Sequence, residues 1–178
     1  MYALLAQGWN IITGYTGLIS IGQAAFFGFG AYVSSLLFVR WGINPWIGMF
    51  LAALFTAGCS IIVFYPVTRL KGRYFAIATI ALSQGMKVIF ENWEYVDAAR
   101  GLMHPIVPEG IRAFQFHTSK LPYYYILLFL LILITTILYF IEHSRLGYYF
   151  QAIRENEDVA SAMGINKTKY KLISVAIS

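Results

Sequence analysis

The chain has 178 residues, 59% of them hydrophobic and 12% charged, with a mean hydropathy of +0.65 and a net charge of +5. Soluble domains carry about 25% charged residues, and one of this length cannot hide so much apolar surface, so the solvent for this chain is lipid. That excludes an ordinary soluble enzyme. It also makes nucleic acid a poor explanation of the positive charge, which a bias of basic residues toward one membrane face explains more simply.

Five apolar segments follow in chain order. The first two, about 2–19 and 22–39, are interrupted by Gly14, Gly17, Gly22, Gly28 and Gly30. A membrane helix needs about 20 apolar residues, so these two span only if their glycines face protein rather than lipid. The opening MYALLAQGWN lacks a basic n-region and reads as no cleaved signal peptide. The third segment, 45–67, is long enough to span, whereas the fourth, 74–90, is short. Cys59 lies alone inside the third, which excludes an intramolecular disulfide and suggests a small packing residue. The fifth, 122–142, contains the run YYYILLFLLILITTILYFI and is the least ambiguous. A sixth begins at 170–178, as though the sequence were part of a longer chain. The fold class is therefore all-α, a polytopic transmembrane bundle forming a single domain.

Basic residues set the orientation. Arg69, Lys71 and Arg73 lie two crossings away from Arg145, Arg154, Lys167, Lys169 and Lys171, so both groups share a side, and the positive-inside rule makes it cytoplasmic. The 91–121 loop then faces outward, with Trp93, Trp41, Trp46 and Tyr123 to Tyr125 at interface levels. Counting back places the start of the chain outside.

The cytoplasmic stretch 143–169 is too structured for a tether. LGYYFQAIR places Leu146, Tyr149 or Phe150, and Ile153 on one helical face. ENEDVASAM reads as a second short helix with Glu155, Glu157 and Asp158 near its start, where they complement the helix dipole. Gly164 is a natural C-cap, and Asn166 or Thr168 can cap the helix that follows, with Lys167, Lys169 and Lys171 at the headgroup level. Physics alone leaves two readings even: a solvated amphipathic loop, or a docking element for a soluble partner.

A resemblance separates them. Glu157-x-x-Ala160-x-x-x-Gly164, followed by basic residues, resembles the EAA-type loop of ABC importer permeases. More narrowly, AIRENEDVASAMGINKTKYKL, GYTGLISIGQAAFFGFGAY and RLKGRYFAIATIALSQ…ENW are similar to blocks of the LivM-like branched-chain amino acid permeases, in the same order along nearly the whole chain. The resemblance implies a plasma-membrane subunit moving branched-chain or related amino acids. It further implies a second permease subunit, two cytoplasmic ATPases and an external substrate-binding protein. By match, Glu157, Ala160 and Gly164, with the flanking Arg154, Glu155 and Asn156, fall to ATPase docking. In that family a further set of membrane helices follows the loop, and the given sequence holds only the start of one, at 170–178.

The sequence contains no G-x-x-x-x-G-K-[ST] phosphate loop, so no cofactor is expected on this chain and ATP belongs to its partners. Ser20, Ala24 and Gly28 recur at intervals of four, as do Gly30 with Ser34 and Ala31 with Ser35. That spacing permits close helix packing; a broken helix offering backbone groups to a solute is the other reading. Gln23 and Gln84 are polar at membrane depth and are candidates to line the path, with interhelical hydrogen bonding as the plainer role. Lys87 snorkels. His104, His117 and His143 lack metal-like spacing, and no metal site is expected. The same machine could carry urea, short amides or another small polar solute. A channel or structural subunit is a remoter reading, and a membrane enzyme lacks the paired intramembrane acids or histidines it would need.

Overall fold

The computed structural model describes residues 1–70, 72–94 and 120–178, and every regular element in them is helical. Most of the predicted external loop, with His104 and His117, lies outside the described residues. α1 (Tyr2–Trp9) runs without a break into a π-helical segment, Asn10–Tyr15. An irregular stretch, 16–22, leads to α2 (Gln23–Trp41), followed by α3 (Pro45–Val67), α4 (Arg73–Asn92) and α5 (Leu121–Glu142). Three short helices follow: α6 (Arg145–Glu155), α7 (Glu157–Ala162) and α8 (Lys167–Ile177).

Three of these helices, α2, α3 and α5, are long and apolar enough to cross a membrane. Their outer faces carry exposed Phe50, Ile62, Phe129 and Ile132, as expected of surface wetted by lipid rather than water. The chain is an all-α, multi-pass membrane bundle. α2 and α3 form its central hairpin. Gly42, with φ +63°, closes α2, and the Asn44 side chain caps α3 by accepting from the Trp46 amide at 3.1 Å. Pro45 sits at the first helical position of α3, where its missing N–H costs nothing.

The apolar run 2–19 departs from a single helix. Helical structure stops at Tyr15, and the backbone of 16–22 is irregular, so its polar groups need partners other than a helix's own ladder. Nearby protein groups supply them. The Leu18 amide donates to the Ile12 carbonyl (3.2 Å), and the Leu18 carbonyl accepts from Thr13 Oγ1 (3.1 Å). The Ser20 carbonyl accepts from Trp9 Nε1 (2.8 Å), and the Ile21 amide donates to Thr79 Oγ1 (3.2 Å). Gly28 and Gly30, by contrast, lie inside the continuous run of α2 and break nothing. A Cβ on Gly30 would sit 3.2 Å from Thr56 Oγ1, so this glycine serves close approach of α2 and α3; nothing lies near Gly28.

The core is at one end of the bundle. Ile12, Leu18, Phe64, Val67, Phe75 and Val175 form a buried cluster, with Phe26 and Leu172 packed against it. These residues bring together the end of α3, the start of α4, the second half of α8, the π-helical segment and the irregular stretch that follows it. Arg69 and Arg73 therefore stand at the same end as α6, α7 and α8.

Candidate functional site

The residues of the 143–169 stretch do two different jobs. Asn156 has extended backbone (φ −160°), and its Oδ1 accepts from the amides of Asp158 (3.0 Å) and Val159 (3.1 Å), so it starts α7 as an N-cap. At the other end Ile165 donates to the Ala160 carbonyl and Gly164 to the Ser161 carbonyl, both at 3.0 Å, with Gly164 at φ +86°. This is the glycine-terminated double closure that favours a residue without Cβ. A helix of only six residues would not persist alone; here both ends are closed. Ala160 is buried beneath it, whereas Val159 is 56% and Met163 78% exposed.

Glu155 is exposed as well. Arg154 and Glu157 make internal contacts. Arg154 Nη1 donates to the Gly14 carbonyl at 2.8 Å, and its stem lies over Gly17. The Glu157 carboxylate accepts from Lys171 Nζ at 2.6 Å, with the Lys171 side chain 1% exposed. Lys171 is the residue that reading the sequence misses. Its spacing with Lys167 and Lys169 suggests the headgroup level, but it immediately precedes the run LISVAI, and that position is the available signal. The neighbouring Lys167–Asp158 pair, at 3.3 Å, is solvent-facing, and such pairs contribute at most about 1 kcal/mol.

Gly17 is where these internal contacts meet the break. Its φ is +70°, and an added Cβ would meet Arg154 Cγ at 3.1 Å and Arg154 Cα at 3.5 Å. Gly17→Ala is expected to lower stability by about 1–2 kcal/mol through the left-handed backbone alone, read as a drop in the denaturation midpoint in detergent. An unchanged midpoint would contradict this account of the turn.

A cavity of about 910 Å³ opens between α1, α2, α3, α5 and α8. Among the described residues its lining contains no charged side chain; Ser20, Gln23, Thr56 and Ser60 supply polarity against an otherwise largely apolar wall. Ser20 Oγ and Thr56 Oγ1 are buried without a hydrogen-bond partner. Gln23 Nε2 donates to Ser178 Oγ at 2.5 Å, and Ser178 Oγ donates to the Gly8 carbonyl at 2.7 Å. Gln84 is not in this wall: it is exposed on α4, because the side of α4 turned toward α2 is formed by Ser83, Met86 and Phe90. Gly22 packs against the Thr79 carbonyl, and Gly14 against the Asn10 side chain. Among the described residues no group of acids, histidines or cysteines could hold a metal.

The family described as branched-chain amino acid transport system / permease component matches residues 1–178, the whole chain. The chain belongs to this permease family. Among curated relatives of the chain, the high-affinity branched-chain amino acid transport system permease protein LivM of Salmonella typhimurium is 24% identical over 200 residues, covering 100% of the chain and 47% of the relative. The LivM protein of Escherichia coli K12 is 32% identical over 92 residues, covering 52% of the chain and 22% of the relative. The chain thus spans less than half the length of the relatives it matches. No solved structure matches it.

Proposed function

We propose that the chain is a membrane subunit of an ATP-driven importer in the plasma membrane, passing branched-chain or related amino acids through a path that includes the α1–α2–α3 cavity. Its partners are a second permease subunit, two ATPases on the side of α7, and an external binding protein that delivers the solute. The observation that carries this reading is the family match together with α7, a doubly capped helix that turns Val159 and Met163 outward beside the buried end of the bundle. An apolar pair on a rigid short helix, flanked by charge, suits insertion in a groove of a soluble protein. The side bearing α6–α8 and Arg69 is the cytoplasmic one, by the concentration of basic residues. The neutral cavity suits a small solute with an apolar body, its hydroxyls serving either as donors or as acceptors.

Val159→Asp and Met163→Glu test the docking face in the full complex, because the contacts that hold α7 in place are made by Asn156, Glu157 and Ala160. Each substitution is expected to weaken ATPase association about tenfold, or about 1.4 kcal/mol, with a matching fall in ATP-driven leucine uptake. Normal co-purification and normal uptake in both variants would reject α7 as the docking helix. Binding of leucine against urea to the partner binding protein decides the cargo.

A further inference from the structure

Lys171 is the one buried cation among the described residues. An ammonium held out of water is unfavourable unless a counter-charge meets it closely, and here a single carboxylate does so at 2.6 Å. The pair joins the first residue of α7 to α8, 14 positions on, across the Gly164 turn. A second charged contact leaves the same region in another direction. Arg154, in the last turn of α6, donates to the carbonyl of Gly14, near the end of the π-helical segment, where carbonyls lack partners within the helix and a cation is favoured.

The two elements these contacts reach, α8 and the π-helical segment, have something in common. α8 contributes Val175, and the π-helical segment Ile12, to the wall of the cavity; both residues also belong to the buried core cluster. Charge-assisted hydrogen bonds of this length are directional, and a helix of six residues closed at both ends offers little internal give. We infer that Arg154, Glu157 and Lys171 form a two-armed linkage that carries displacement of α7 into the two cavity walls, with Lys171 as a positioning residue rather than a headgroup anchor. Glu157 is then held inward, and the apolar face of α7 is left to meet the partner. The inference rests on the ATP-driven importer reading for the source of the displacement.

A purely structural ion pair makes a different prediction from a linkage. Replacing a buried pair by apolar side chains of similar volume is often neutral for folding, because the desolvation of both charges is removed with their attraction. Glu157→Leu combined with Lys171→Met is therefore compared with the charge swap Glu157→Lys with Lys171→Glu in the reconstituted complex. The expected result is normal ATPase co-purification and near-normal ATP hydrolysis in both, with solute moved per ATP reduced about tenfold in the apolar pair and largely recovered in the swap. Wild-type transport per ATP in the apolar pair overturns the linkage. Loss of ATPase co-purification also overturns it, since the side chains would then be docking contacts. If the apolar pair does not assemble, Arg154→Gln carries the same ratio with the ion pair intact, and an unchanged ratio there overturns the proposal. Normal docking of Val159→Asp and Met163→Glu would instead reject the docking face and leave these ratios to be read by themselves.

Discussion

Gly147→Ala is expected to lower the stability of the bundle by about 3 kcal/mol, toward the upper end of overpacking penalties. Gly147 is buried in the first turn of α6, where the chain doubles back against the end of α5. A Cβ there would press on the Glu142 carbonyl oxygen and lie 2.7 Å from both the Glu142 carbonyl carbon and the Ile141 oxygen. These are backbone atoms and cannot rotate away. The corner is also fixed by Ser144, whose Oγ donates to the Ile141 carbonyl (2.6 Å) and accepts from the Leu146 amide (3.2 Å). The substitution must therefore shift α6 as a body and move Arg154 relative to Gly14. Gly58→Ala and Gly85→Ala are the controls. Nothing lies within 4 Å of a Cβ at either position, and alanine's helix propensity should make them neutral or stabilising by up to about 1 kcal/mol. Denaturation midpoints in detergent read the difference. Equal midpoints for Gly147→Ala and Gly58→Ala would contradict the packed corner.

Phe64→Ala is the second large effect, expected at about 2–3 kcal/mol. Phe64 is 2% exposed, and its ring stands 5.2 Å from that of Phe26 and 5.9 Å from that of Phe75. In a water-soluble core the same change costs about 3–5 kcal/mol. Part of that figure is transfer out of water, and an unfolded but inserted helix would leave Phe64 in lipid, so the transfer part falls away. What remains is the void between α2, α3 and α4 and the dispersion contacts its lining loses. Phe129→Ala, at a position 64% exposed on α5, should change the midpoint by a few tenths of a kcal/mol. If Phe64→Ala were as mild as Phe129→Ala, the aromatic cluster would not be what joins these three helices.

Some features were legible because they depend only on local chemistry. Asn156, Gly164 and Asn166 sit at the ends of short helices, and the residue types that satisfy or permit such ends are few. The long apolar runs at α3 and α5 can be solvated only by lipid, whatever their neighbours are. Other features were not legible. The run 2–19 is largely apolar, but where its helix stops is decided by hydrogen bonds donated by Trp9 and Thr13 and by one that the distant Thr79 accepts from Ile21. Gln23 and Gln84 read alike as polar residues at depth, yet one lines the cavity and the other lies on an exposed face.

By itself, then, the amino-acid sequence determined the solvent, the helical class, the short capped helices and the end at which basic residues collect. Each follows from composition or from contacts within a few residues. Only the tertiary structure decided that Arg154 reaches Gly14, that Glu157 turns inward, and that Lys171 is buried rather than anchored among headgroups. Lys167, Lys169 and Lys171 share one local pattern, and what separates them is which helices stand around each side chain. A charge's surroundings are set by elements far away in the chain, which no local spacing encodes.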